Sequence, residues 1–193
     1  RSFEAIRNAM ADAKIVYFSG ITLSLYSSIG LTRLEQALRN ARSEGATIVF
    51  DGNYRPRGWH NDADRARKTM RRFLKICDVV MPTFDDEVML WGDSDPEATV
   101  ARIRDFGPTE VIVKCGADGA LAYGEGIIDK IPVPEPVSPL DTTAAGDSFN
   151  AGFLAARQEG DGIREAVLAG HDLAGIVIRH RGAIVPKAAT DIL

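Results

Sequence analysis

The run Ala46-Thr47-Ile48-Val49-Phe50-Asp51, residues 46–51, decides the fold class. It is short, β-branched through Thr47, Ile48 and Val49, uncharged until it stops at a carboxylate, and shows no polar alternation. Such a run reads as a strand buried on both faces, the condition of a strand inside a parallel sheet. Upstream, residues 31–43 place Leu34, Ala37, Leu38 and Ala41 on one helical face, and Ile15-Val16-Tyr17-Phe18 reads as an earlier buried strand followed by the loop Ser19-Gly20-Ile21. Downstream, a loop over 52–61 leads to a basic helix over 65–75, a strand over 78–81, short helices over 85–91 and 97–106, and a strand over 111–113. Residues 120–123 and 127–133 flank Gly124-Glu125-Gly126 as a hairpin. Four prolines, Pro132, Pro134, Pro136 and Pro139, then make an extended connector, and helices over 148–158 and 163–179 close the chain. Repeated strand–helix units predict an α/β domain over 1–193, with a mostly parallel central sheet between helices.

Bulk properties narrow the partners. The 193 residues are 45% hydrophobic and 26% charged, with a net charge of −4, so no electrostatic ground favours nucleic acid or an anionic membrane. The basic residues of 65–75 share their segment with Ala66, Met70, Phe73, Leu74 and Cys77 at helical spacing and read as a solvated helix face. Cys77 and Cys115 lie far apart in apolar surroundings and read as buried thiols in a reducing compartment, with neither disulfide nor metal spacing. With no signal-peptide pattern and no membrane-length apolar run, a cytoplasmic protein is expected. The chain opens on Arg1 inside a helical pattern (Phe3, Ile6, Met10) rather than on Met, and is read as a piece of a longer protein.

In open parallel sheets, ligands bind beyond the carboxyl ends of the strands. That places the chemistry in Ser19-Gly20-Ile21, Asp51-Gly52-Asn53-Tyr54-Arg55, residues 114–119, and the stretch Asp141-Thr142-Thr143-Ala144-Ala145-Gly146-Asp147-Ser148-Phe149. Small residues entering a helix let backbone N–H groups converge on an anion. Asp147 has two readings, a cap bonding nearby amides or a general base facing a ligand hydroxyl, and local sequence favours the cap. Gly146-Asp147-Ser148 also reads as a hydrolase nucleophile, but neither His171 nor His180 has an Asp three residues before it, as the usual Asp-x-x-His pair would require.

Residues 141–149 resemble the C-terminal signature of the ribokinase-like (PfkB) sugar kinases, D-T-x-G-A-G-D-x-F, with Ala144 at a frequent Gly. The resemblance implies a three-layer αβα fold lacking an N-terminal part and a β lid. It implies an ATP-dependent kinase in which Asp147 deprotonates a sugar hydroxyl and the amides of Ala144, Ala145, Gly146 and Asp147 hold the transferred phosphoryl group. Phe50-Asp51-Gly52-Asn53-Tyr54-Arg55-Pro56, with Trp59, is similar to 2-keto-3-deoxygluconate kinases and next to fructokinases. Arg55 would then bind a substrate carboxylate, its planar fork suiting both oxygens; the alternative is a salt bridge to Asp51 or another acid. Ile21 would line the sugar pocket. Lys114, Gly116 and Gly119 resemble the nucleotide-side glycine loop, and His171 stands where relatives place a small residue against adenine, with a structural histidine as the equal alternative. Asp141 and Thr143, with the carbonyls of Arg181-Gly182-Ala183, would bind a monovalent cation such as K⁺. The family's N-x-x-E is replaced by Pro82-Thr83-Phe84-Asp85-Asp86-Glu87, leaving Asp86 and Glu87 as alternatives for organising Mg²⁺ through water or as helix caps. The expected partners are ATP and a sugar or sugar acid, and the parent protein is expected to be a homo-oligomer. The competing readings are a fructokinase, a serine hydrolase using Ser148, and a folded fragment inactive without its lid.

Overall fold

A computed structural model describes residues 2–190 of the chain. They form two compact units, one ending at Val113 and one beginning at Lys114.

The first unit holds α1 (Ser2–Ala11), β1 (Ile15–Ser19), α2 (Gly20–Leu25), α3 (Ser28–Ser43), β2 (Thr47–Asp51), α4 (Ala63–Leu74), β3 (Val79–Val80), α5 (Phe84–Trp91), α6 (Pro96–Arg104) and β4 (Glu110–Lys114), whose last residue opens the second unit. β1 to β4 pair in parallel in chain order, with Ser19 beside Asp51, Phe50 beside Val80, and Val80 beside Val111. Each crossover carries a helix, as parallel pairing requires. Ile48, Val49, Phe50, Val111, Ile112 and Val113 are at most 2% exposed, so the 46–51 run is a central strand with both faces covered. Phe18 packs against Phe50 and Phe73 with ring centroids 5.1 and 5.9 Å apart. Leu34, Ala37, Leu38 and Ala41 are buried, as the helical spacing predicts.

Several boundaries differ from the sequence reading. Ser19-Gly20-Ile21 is not a loop. Ser19 caps α2 directly, its hydroxyl accepting from Thr22 N–H while the Thr22 hydroxyl accepts from Ser19 N–H, so strand passes into helix with no linker. Gly20 permits this: a Cβ there would stand 2.1 Å from the Gly52 carbonyl. β1 is buried only at Val16 and Phe18; Tyr17 turns outward, 41% exposed, its hydroxyl donating to Asp51 3.1 Å away. The third strand shrinks to two residues, and α4 starts at Ala63 because Asp62 caps it by accepting from Arg65 N–H. Within the 52–61 loop, residues Pro56–Trp59 make a 3-10 turn that sinks Trp59 completely.

The second unit contains β5 (Ala120–Gly124), β6 (Ile127–Ile131), α7 (Ala145–Glu159) and α8 (Ile163–Val177). β5 and β6 pair antiparallel about Glu125 and Gly126, both with positive φ (53° and 80°), the backbone of a two-residue type I′ hairpin. β6 stops at Ile131 because Pro132 cannot extend the ladder. α7 starts at Ala145, three residues before the expected start at 148, among the small residues of the phosphate-like stretch. It crosses α8 closely at Gly152 and Gly170; a Cβ on Gly152 would lie 2.6 Å from the Ala169 carbonyl, and one on Gly170 2.9 Å from the Phe149 carbonyl. Cys77 is buried as expected, and burial pushes its thiol far up, whereas Cys115 is half-exposed. Among the described residues no helix is long and apolar enough to cross a membrane.

Candidate functional site

Four residues lead into α7. Ala144 sits at the helix start with φ 62° and ψ 12°, a left-handed conformation rare for a residue with a Cβ. This bend spends some backbone donors and frees others. Ala145 N–H donates to the Thr142 carbonyl (3.1 Å) and Ser148 N–H to the Ala144 carbonyl (2.9 Å). Gly146 and Asp147 N–H find no acceptor among the described residues, as a helix's first turn demands unless something caps it. Nothing caps it. The Asp147 side chain is exposed and accepts no hydrogen bond among the described residues, so the carboxylate that local sequence assigns to capping does no capping. Ser148 has no His partner among the described residues.

Lys114, at the end of β4, is 7% exposed, and its Nζ donates to the Asn150 Oδ1 at 2.9 Å. The same ammonium lies beside Gly146, where a Cβ would stand 3.7 Å from it. Residues Gly116–Asp118 form a 3-10 turn closed by Cys115 N–H donating to the Gly119 carbonyl at 2.8 Å. Gly119 has a structural reason of its own: with φ 94° and ψ −137° only glycine fits, and a Cβ would strike the Ile131 carbonyl at 2.2 Å. Gly116 also has positive φ (58°), but open space surrounds its Cα.

His171 on α8 is buried, edge-on to Phe149 with centroids 5.2 Å apart, and its Nε2 lies 3.4 Å from the Ile131 carbonyl. Burial holds its pKa below the usual imidazole value. His171 lines a cavity of about 220 Å³ walled also by Val133, Pro134, Val137, Ile176 and Arg179. The Phe149 and Ile131 contacts are those of a structural histidine, and the adenine reading stays a proposal. Asp141 joins the two loops named for a cation, accepting from Thr143 N–H and Gly182 N–H, each at 2.8 Å. Those bonds, with the Thr143 hydroxyl's the largest cause, pull its carboxyl down to about 2. Each oxygen serves one amide and keeps a further lone pair open to a cation.

The sugar-side residues belong to the first unit. Ile21 lies in the first turn of α2 and is 41% exposed. Arg55 makes the salt bridge that was its alternative reading, but to Asp86 rather than Asp51. Every bond uses one nitrogen: Nη1 donates to the Tyr54 carbonyl at 2.7 Å and to both Asp86 oxygens at 3.1 Å. The Nε and Nη2 edge, on a side chain 57% exposed, has no acceptor among the described residues. Asp86 also accepts from Tyr54 N–H at 3.2 Å, and burial raises its pKa despite Arg55. Glu87 is 4% exposed and held by Arg102 at 2.6 Å; burial pushes it up to about 7, with Arg102 opposing. Both acids are therefore occupied by arginines, and among the described residues no group of three or more His, Cys, Asp or Glu could hold a metal.

Two features escaped the sequence reading. Asn150 is a polar residue on the buried face of α7, between Phe149 and Phe153, and that misplacement was the available signal. Arg102, bonded to Asp93 and Glu87 and 4.5 Å from the Trp91 ring, looks in sequence like any solvated helix arginine. The basic face of α4 is likewise more engaged than expected. Arg67 donates to the Leu90 carbonyl at 2.5 Å, Arg72 pairs with Glu35, and Arg71 stands 5.2 Å from the Trp91 ring.

The model described as pfkB family carbohydrate kinase matches residues 1–190. The 2-dehydro-3-deoxygluconokinase of Escherichia coli is 40% identical over 188 residues, 96% of this chain and 60% of its own length. That of Dickeya dadantii is 37% identical over 189 residues, 96% of this chain and 61% of its own. Among solved structures, a PfkB protein from Polaromonas sp. superposes with a TM-score of 0.80 at 24% identity, covering 97% of this chain and 60% of that one. An Escherichia coli ribokinase-like protein solved with ATP and Mg²⁺ reaches 0.79 at 27% identity, over 92% of this chain and 56% of that one. The fold is the ribokinase-like α/β class with a mostly parallel sheet, and the chain spans about 60% of the length of the curated relatives it matches. By the family match and the signature at 141–149, this chain belongs to the pfkB family of carbohydrate kinases.

Proposed function

We propose that the protein is an ATP-dependent sugar-acid kinase that converts 2-keto-3-deoxygluconate (2-dehydro-3-deoxygluconate) to its 6-phosphate. One observation carries the chemistry. Among the described residues the Asp147 carboxylate caps nothing, and it shares a helix turn with two amides that find no acceptor, those of Gly146 and Asp147. Asp147 takes the proton of the sugar's primary hydroxyl; the alkoxide oxygen bonds to the γ-phosphorus as the bond to the leaving ADP oxygen breaks. The first-turn amides and the positive end of the α7 dipole receive the charge that develops on the transferred group. In this reading ATP lies along residues 114–119, its base end at the cavity beside His171. Arg55 offers the open Nε/Nη2 edge to the sugar-acid carboxylate while Asp86 fixes its other nitrogen, and the identity to two 2-dehydro-3-deoxygluconokinases supports that substrate over a neutral sugar. Mg²⁺, when bound, would neutralise phosphate charge. With Asp86 and Glu87 already paired, these two acids would meet it through water, and no step is assigned to it.

The test is ADP release by the full-length protein with 2-keto-3-deoxygluconate, beside Asp147→Asn. Loss of a general base should lower kcat by roughly 10²–10⁴-fold with the fold intact. Near-normal turnover by the mutant would remove Asp147 as base, and a wild type inert with every sugar and sugar acid would remove the kinase reading.

A further inference from the structure

We infer that Asp86 is a positioning residue that makes the Arg55 site selective for a carboxylate; the inference rests on the sugar-acid reading above. Asp86 is the third residue of α5, and an acid there ordinarily bonds back to the residue that caps its helix. Among the described residues Asp86 makes no such bond. It turns instead to the 52–55 loop, where its Oδ2 accepts from Tyr54 N–H at 3.2 Å and both its oxygens accept from Arg55 Nη1 at 3.1 Å. The Tyr54 carbonyl accepts from the same nitrogen at 2.7 Å, so one end of the guanidinium is held by two groups. The main chain is set as well. Tyr54 is 4% exposed, and Pro56 favours the extended backbone that Arg55 adopts, φ −127° and ψ 100°. With side chains 14% and 57% exposed, the acid is the sheltered partner and the arginine the accessible one.

Charge and geometry act in opposite senses here. A carboxylate beside Arg55 lowers the positive potential that any anion meets, which makes a poorer general anion site. What it adds is orientation. A guanidinium held at one nitrogen presents a planar two-donor edge that matches the two oxygens of a carboxylate. A freely turning arginine would give up side-chain entropy at each binding event. Arg55 is more than half exposed, so salt screens the charge effect while the orientation persists. Positioning therefore outweighs the lost attraction.

The two effects differ in sign, which makes them separable. By electrostatics alone, removing the Asp86 charge favours any anion, so a rise in the sugar-acid KM is the mark of lost positioning. Asp86→Asn keeps an amide oxygen for Tyr54 N–H and turns an NH2 group toward Arg55. In the full-length protein at about 0.15 M salt, its KM for 2-keto-3-deoxygluconate should rise about 10-fold, with kcat within about 3-fold of wild type. Arg55→Ala should raise KM about 100-fold. Adding Asp86→Asn to Arg55→Ala should leave KM there or lower it, because the acid then has no arginine to hold. An unchanged or lowered KM in Asp86→Asn alone overturns the inference, as does an equal rise in the Arg55→Ala background. A fall in kcat with KM preserved overturns it too, and would mark Asp86 as a magnesium-side acid. A wild type inert with every sugar acid removes the underlying reading instead. Should Asp86→Asn fail to fold, Asp86→Ser is judged by the same criteria.

Discussion

Replacing Ala144 with glycine should stabilise this protein, although glycine at a helix start next to a functional turn ordinarily weakens it. Ala144 holds φ 62° and ψ 12°, where its Cβ crowds the following carbonyl at a cost of about 1–2 kcal/mol. Glycine removes that strain but gives the unfolded chain more freedom, worth about 0.4–1 kcal/mol in the opposite direction. The difference leaves a net gain of about 0.5–1 kcal/mol. For a chain of this size that is a rise in Tm of roughly 1–4 °C. The assay is urea and thermal unfolding of the wild type, Ala144→Gly and a control, Ala145→Gly. Ala145 begins the right-handed helix and has no strain to relieve, so glycine there should cost about 0.5–1 kcal/mol. Opposite signs at adjacent alanines are the signature. A loss at both positions would mean that residue 144 is not left-handed, and the freeing of the Gly146 and Asp147 amides by that bend would fall with it.

Two further outcomes are expected. Gly152→Ala should destabilise by about 3 kcal/mol or more in urea titration, because its new carbon would stand 2.6 Å from the Ala169 carbonyl and backbone yields little; an unchanged midpoint would show that α7 and α8 do not cross at this point. His171 should make stability depend on pH. Its folded pKa is depressed by burial, so below the unfolded value of 6.5 the unfolded chain binds a proton that the folded chain refuses. Stability therefore falls as pH drops from 6.5 toward the folded pKa and is regained as pH rises through that window. Denaturation midpoints from about pH 5 to 7.5 should show this slope, and His171→Gln should flatten it.

Much of the fold was legible because burial leaves a mark on composition. A strand covered on both faces must be apolar at every position, so 46–51 and 111–113 declare themselves, and the helix of 31–43 shows its inward stripe. Boundaries were less legible wherever a cap or a close approach, rather than hydrophobicity, ends an element. Ser19 turns β1 straight into α2 by a reciprocal cap, and α7 begins three residues before the expected start at 148.

The site divides along the same line. Sequence alone determined which residues could carry the chemistry, since Asp147, Arg55 and Lys114 belong to recognisable motifs with suitable donors and acceptors. It could not determine what each of them touches. Whether Asp147 caps its helix, whether Arg55 is consumed by an acid or only half engaged, and whether Asn150 holds Lys114 are questions of angle and distance. Those depend on a positive φ at Ala144, on Asp86 arriving from 31 residues away at Arg55, and on Asn150 meeting a lysine 36 residues earlier. Hydrogen-bond partners distant in the chain are chosen by packing, so tertiary structure alone decided them.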